Sequence, residues 1–299
     1  MTIERSGLVN AEEALQGPTG TGKRKRRGRG SLWAWIAVIA LAIYFFLPLL
    51  ATLEFSLRAA VKDPVTGELS KPSLQAYNLI FSDDKFIDAL LYSFRLALVT
   101  IAVSLLLLVP TAFWVRLKVP RMRPIVELIT LMPFVIPPVI LVFGLIRIYS
   151  AQPLAIISTP IGADAVLVGA YVVLSFPYMY RAVDTGLASI DVRSLTEAAQ
   201  SMGAGWPRIL WSVIFPNLRS ALLAGAFLTL AIVIGEYTIA NFLVGTKPFG
   251  PYLSLLGQNK AYEPAAASLI SFGITWAAMF MLLLVGRGSR GRAPVTGAR

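Results

Sequence analysis

Cysteine and histidine are both absent from the 299 residues, and only 14% are charged. Without a thiol there is no disulfide and no cysteine nucleophile, and without an imidazole there is no His-based acid–base pair. An ordinary zinc site lacks its usual ligands as well, so no metal or cofactor is expected. Acidic side chains are scarce, at 16 against 27 lysines and arginines. What fills the chain instead is apolar: 56% of the residues are hydrophobic and the mean hydropathy is +0.69. That composition belongs to a membrane protein.

Six apolar segments follow one another, approximately Leu32–Leu53, Ala89–Val115, Ile125–Ile148, Ile161–Tyr180, Leu222–Leu243 and Ala265–Val285. Each comes close to, or exceeds, the roughly 20 residues needed to cross a hydrocarbon core. The expected fold is therefore an all-α polytopic membrane protein with six transmembrane helices. Its domains are a disordered basic tail (1–31), a six-helix domain (32–286) containing a long loop (191–216), and a second tail (287–299). The first segment is too long for a cleaved signal peptide, and no small-residue cleavage site follows it.

Lysine and arginine are placed unevenly. The N-terminal tail carries seven, and the stretches 116–124, 181–219 and the C-terminal tail carry four each. The alternate loops hold six: Arg58, Lys62, Lys71, Lys85, Lys247 and Lys260. By the positive-inside rule both termini are expected in the cytoplasm. The basic run is then a topology signal beside anionic lipid rather than a nucleic-acid patch.

The tail stretch GPTGTGKRKRRGRG, Gly17 to Gly30, has the outline of a phosphate-binding loop from Gly17 to Lys23. Arg24 stands where Ser or Thr should hold magnesium, and no strand-like run precedes Gly17. The tail is not read as a nucleotide site.

The stretch SLTEAAQSMGAGWPRILWSVIFP, Ser194 to Pro216, is richer in signals. Ser194 and Glu197 have capping-box spacing, which predicts a helix start. Leu195, Ala198, Ala199 and Met202 recur at i, i+3, i+4 and i+7 and form an apolar stripe. Gly203 suits a left-handed helix stop, Pro207 the first turn of a second helix, and Pro216 the start of the next span. Periodicity alone allows this bent pair to lie on the bilayer surface.

The full pattern narrows the choice. Glu197-Ala198-Ala199, three residues, Gly203, nine residues, then Val213, Phe215 and Pro216 resembles the cytoplasmic signature of binding-protein-dependent ABC importer permeases. Val213 and Phe215 replace the commoner Ile and Leu. The likeness extends through YSFRLALVT, VPTAF, LMPFVIPPVILVFGL and FPYMYRAVDTGLASID, over roughly residues 89–285, although Tyr92 stands where Asn is common. It implies a type I importer permease fold in a bacterial inner membrane, with residues 191–216 forming coupling helices. The resemblance further implies cytoplasmic ATPase subunits that hydrolyse the ATP, a second permease subunit (identical or related) and an extracytoplasmic solute-binding protein that meets 54–88, 149–160 and 245–264. Coupling residues are then Ser194, Leu195, Glu197, Ala198, Ala199, Met202, Gly203 and Pro216, with Glu197 as the cap.

For the pathway, Glu236 in IVIGEYTIANF is a carboxylate within an apolar segment, which implies a cavity or a partner. It is read either as a solute-contacting residue or as a structural partner of Arg95, Arg147 or the second permease. Tyr237 and Asn241 share its stretch, and Pro133, Pro137 and Pro138 should bend the third segment into a mobile gate. Glu127 and Asp164, near helix ends, are given no role. The GEYTIANFLVG stretch looks most like permeases for polyamines, opines and phosphonates, and a cationic solute suits Glu236. Iron and thiamine permeases share the layout. A proton-coupled transporter relaying through Glu236 would not need the loop signature, and a membrane enzyme lacks a set of catalytic groups.

Overall fold

The computed structural model describes residues 30–58 and 73–287. The tail stretch Gly17–Lys23 and both expected tails lie outside them apart from a few flanking residues. Two compact units divide between Ala51 and Thr52. The described residues up to Ala51 are the apolar part of helix α1 (Gly30–Ser56), with no charged residue and with Pro48 among them. All further elements belong to the second unit.

That unit opens with a short helix, α2 (Gln75–Phe81), and the long α3 (Asp84–Lys118). The Asp83 side chain caps α3 by accepting from the Lys85 N–H at 3.0 Å. Asp84 in its first turn and Arg116 and Lys118 in its last complement the helix dipole. A 3₁₀ turn, Pro120–Met122, leads to α4 (Arg123–Val135) and α5 (Pro138–Tyr149). Next come α6 (Pro160–Ala188), α7 (Val192–Ser201) and α8 (Trp206–Ile209). A π-turn, Leu210–Ile214, joins α8 to α9 (Phe215–Gly235). The chain ends with α10 (Thr238–Val244), α11 (Phe249–Asn259) and α12 (Glu263–Arg287).

Among the described residues five helical stretches are long and apolar enough to cross a membrane, and the α4–α5 pair makes a sixth if counted as one span. The all-α polytopic expectation is met, with two revisions. The third segment is two helices bent by 97°, because Pro137 and Pro138 cannot donate to the helix ladder and push the preceding residue out of the helical region. Ile136 is indeed extended, at φ −87° and ψ 116°. The fifth segment does not run from 222 to 243. Its helical stretch starts at Trp206 and ends at Gly235, with α10 a separate piece.

Packing concentrates on α3, α6 and α9. In lipid the helices gain nothing by hiding apolar surface from one another, so close contact and polar pairing hold them. Small residues allow the approach: a Cβ on Gly186 would lie 2.6 Å from the Ala221 Cβ, and one on Gly225 2.6 Å from the Met179 sulfur. Ser104 and Ser175 hydrogen bond across α3 and α6 at 3.0 Å in a fully buried setting. One buried cluster gathers Phe86, Leu96, Leu167, Tyr171, Ile239 and Tyr252. A second, at the end carrying Arg116 and Arg123, gathers Val109, Phe113, Leu187, Ala199, Ile209 and Leu218.

Replacing Gly186 with Leu should force α6 away from α9 and cost about 1–3 kcal/mol, as overpacking does. Gly169 faces open space, so Gly169→Ala should be neutral. Thermal unfolding of the detergent-purified chain checks this: a lowered Tm for the first variant alone is expected.

Candidate functional site

The loop after α6 folds as a helix pair, but its start differs from expectation. Asp191, not Ser194, is the N-cap of α7: its carboxylate accepts from the Ser194 N–H at 3.1 Å and from the Ser194 hydroxyl at 2.6 Å. These bonds, the hydroxyl's first, hold the exposed Asp191 carboxyl below its ordinary pKa. Glu197 does not cap. It pairs with Arg193 at 2.9 Å, one turn back. Aspartate three residues before Ser194 satisfies the free N–H groups first, so the S-x-x-E spacing falls inside the helix.

The apolar stripe divides in two. Val192, Thr196 and Ala199 are buried, and Val192 and Ala199 belong to the second core cluster with Phe113 and Leu187. Ala199 therefore is not on an outer contact face. Ala198 is exposed, Met202 is 82% exposed and Leu195 is half-buried. The stop is as expected. Gly203 has φ +78°, its N–H donates to the Gln200 carbonyl at 2.8 Å, and the Ala204 N–H reaches back to the Ala199 carbonyl at 3.0 Å. Those two bonds make a Schellman cap.

Pro207 lies in the first turn of α8, as its missing N–H permits. Trp206 anchors that turn on the end of α3, with ring centroids 4.9 Å from Trp114 and 6.2 Å from Phe113 and the Lys118 ammonium 5.5 Å from its own. Pro216 sits in the first turn of α9, immediately after the π-turn, in which the Phe215 N–H bonds five residues back to Leu210. A proline ring collides with the carbonyl four residues before it, and widening the preceding turn relieves the clash. The result is an exposed knob of Ala198, Met202 and Gly203 on a base packed into the helix bundle.

The second candidate is the pair of broken spans. Pro133 lies within α4 and Pro137 at the bend. Glu236 follows the last residue of α9 in extended backbone, φ −74° and ψ 129°. Its carboxylate does not sit inside a helix. One oxygen accepts from the Ile239 N–H at 2.8 Å, the other from the Ala240 N–H at 3.0 Å and the Tyr171 hydroxyl at 3.3 Å. Neither Arg95 nor Arg147 forms an ion pair with it among the described residues. Arg95 instead pairs with Asp164 at 3.4 Å, and Tyr92 donates its hydroxyl to the same carboxylate. Glu127 pairs with Arg123 at 2.9 Å. The Asp164 partners lie some 70 residues away, beyond what sequence spacing could suggest, whereas Glu127 makes an ordinary i,i+4 pair.

Tyr237 is exposed and Asn241 half-buried in the stretch beyond the break. The two second halves meet, Phe143 of α5 against Phe242 of α10 at 5.0 Å. A Cβ on Gly250 would lie 2.4 Å from the Glu236 carbonyl oxygen, so α11 seats directly on the break.

With this geometry in view, comparison with known proteins is informative. The family described as “Binding-protein-dependent transport system inner membrane component” matches residues 109–287. A probable sulfate transport system permease protein from Chlorokybus atmophyticus is 30% identical over 182 residues, which cover 56% of this chain and 61% of that protein. The spermidine/putrescine permease PotB of Escherichia coli is 26% identical over 223 residues, covering 70% of this chain and 80% of PotB. A molybdenum permease, ModB of the same species, is 30% identical over 128 residues, 40% of this chain and 56% of its own. In fold, the chain is similar to a bacterial ABC transporter involved in the import of alginate. The TM-score is 0.61 at 16% identity, covering 87% of this chain and 96% of the other.

Substitutions at two positions test this geometry. A Cβ on Gly203 meets no atom within 4 Å, so the main cost of Gly203→Val is the backbone penalty of positive φ, about 1–2 kcal/mol. Faster amide exchange at the Gly203 and Ala204 N–H groups, with the spans unchanged, is the expected readout. Glu236→Ala should lower the Tm by leaving two amides and the Tyr171 hydroxyl without an acceptor, at about 1–3 kcal/mol per buried group; Glu236→Gln, which keeps one acceptor oxygen, should fall between.

Proposed function

Because the chain belongs to the family of binding-protein-dependent transport system inner membrane components, we propose that it is the permease subunit of an ATP-driven importer. In this reading its helices, with those of a second permease of identical or related sequence, line a pathway for a small solute delivered by an extracytoplasmic binding protein. ATP is hydrolysed by separate cytoplasmic subunits. Both termini are cytoplasmic, as the lysine and arginine distribution supports.

The observation that carries the reading is the knob on α7. Met202 is 82% exposed on a helix whose opposite face is locked into the bundle core. A rigid base with a protruding small-and-apolar tip suits a joint that must transmit force to the spans, because a loosely held loop would absorb the movement. Coupling contacts are assigned to Leu195, Ala198, Met202 and Gly203, with Ser194 and Glu197 ordering the helix by their bonds to Asp191 and Arg193. Ala199 and Pro216 act from inside, by packing and by shaping the turn.

In the pathway, Pro133, Pro137 and Glu236 form the hinges of the two broken spans, and Tyr237 and Asn241 offer polar contacts to the solute. The solute proposed is a polyamine of the spermidine or putrescine class, supported by the 70% of this chain over which PotB aligns. A second reading, a tetrahedral oxyanion, is favoured by the 30% identity to the sulfate permease relative. It also fits the engagement of both Glu236 oxygens by amide donors, which leaves that carboxylate poorly placed to bind a cation.

Ala198→Asp tests the joint by placing a charge where an apolar contact is proposed. ATPase recovery with the tagged permease should fall at least tenfold, which corresponds to about 1.4 kcal/mol of binding, while membrane insertion stays normal. Unchanged recovery would remove the coupling assignment. Uptake of labelled spermidine and of labelled sulfate by the same cells separates the two solute readings.

A further inference from the structure

A further residue, whose role rests on the coupling reading, emerges from how unevenly the spans are held. The helix pair α7–α8 shares a buried cluster with α3 and α6, through Ala199 and Ile209 against Phe113 and Leu187. These elements therefore move as one block. The helix α4 is different: Thr130 is its one buried residue, and Leu128, Leu131 and Phe134 are exposed. Its side-chain contacts with that block include Val126 against the second cluster and the Phe134 ring edge-on to Tyr178 of α6 at 5.6 Å, and they leave most of its apolar surface uncovered.

An ionic tie is present where packing is thin. Asp184 of α6, with its side chain only 14% exposed, accepts from two arginines of different elements. Arg116 in the last turn of α3 reaches one carboxylate oxygen at 3.2 Å and the Asp184 backbone carbonyl at 3.3 Å. Arg123, the first residue of α4, reaches the other oxygen at 2.7 Å and is itself steadied by Glu127 at 2.9 Å. Val119 and the turn Pro120–Met122 are all that separate the two arginines' helices. One carboxylate thus fastens the start of the broken span to the block that carries the coupling knob. Charge-assisted bonds of this kind are stronger and more directional than neutral ones, and here the carboxylate is largely buried while the Arg123 side chain is 49% exposed.

We propose that Asp184, through Arg123, is the positioning residue that makes α4 follow the coupling helices, so that closure of the ATPase subunits moves the broken span. Arg116 fixes the orientation of the Asp184 carboxylate but does not hold α4.

The test uses the assembled complex, in detergent, with nitroxide labels on Gln200→Cys in α7 and Leu128→Cys in α4, both exposed positions. The chain has no native cysteine, so the labels in this subunit report only those sites. With Asp184 intact, the 128–200 distance should be the same in the nucleotide-free complex and in the complex trapped with ADP and vanadate. In Asp184→Asn and in Arg123→Gln it should shift between the two states by about 1–2 Å or more, the size of an ordinary helix displacement, or broaden. Arg116→Gln and Asp184→Glu should behave as the parent. A distance that stays constant in Arg123→Gln would overturn the proposal, as would a shift in Arg116→Gln as large as that in Arg123→Gln. If Asp184→Asn fails to accumulate, Arg123→Gln decides the matter alone. Failure of the unsubstituted permease to recover any ATPase subunit would instead remove the coupling reading itself, and this inference with it.

Discussion

A backbone amide that leaves its helix inside a bilayer must find another acceptor, since no water is there to supply one. Both breaks in this bundle obey that constraint by different means. At the third span the chain places Pro137 and Pro138 at the break, which removes two of the donors that would otherwise be stranded. At the fifth it keeps the donors and brings an acceptor, and the Glu236 carboxylate binds the Ile239 and Ala240 amides. The charge that looked like a ligand for something passing through is first of all a helix cap. Its negative charge at the N-terminus of α10 is also favoured by the local dipole.

The same constraint explains why α11 crowds the break. Gly250 lets its backbone approach the Glu236 carbonyl, and the Phe249 amide is satisfied by Ser93 of α3 at 2.8 Å. Tyr252 reaches Asp83 at 2.8 Å. Irregular backbone here is thus covered from several sides, while Gly235 and Tyr237 at the break stay exposed.

Much of this was legible in the residues. Gly203 announced its positive φ, Pro207 its first turn, and the proline trio its bend, because each is a property of one residue's own geometry. What failed depended on neighbours. The S-x-x-E spacing was real, yet Asp191 stood close enough to cap first. The stripe Leu195, Ala198, Ala199, Met202 was real too, but periodicity says only that one side is apolar. It cannot say that Ala199 turns toward Phe113 and Leu187 while Met202 turns away. The fifth span was drawn too far because Ile239 and Phe242 are as apolar as the helix before them, and a hydropathy reading does not register a break whose flanks are greasy. The Asp184 and Asp164 pairs join positions some 60 to 70 residues apart, and nothing local to either carboxylate points to its arginine.

One consequence of the π-turn before Pro216 concerns angular phase. An α-helix advances about 100° per residue, and a turn that closes five residues back holds one residue more than its neighbours. Everything on the N-terminal side of Leu210 is therefore rotated, relative to α9, by about the share of one residue. The azimuth at which α8 meets Phe113 and Trp114 is in this way set independently of the azimuth at which α9 meets α6. Two interfaces on one continuous rod, each with its own preferred face, are reconciled by a single extra residue in the winding.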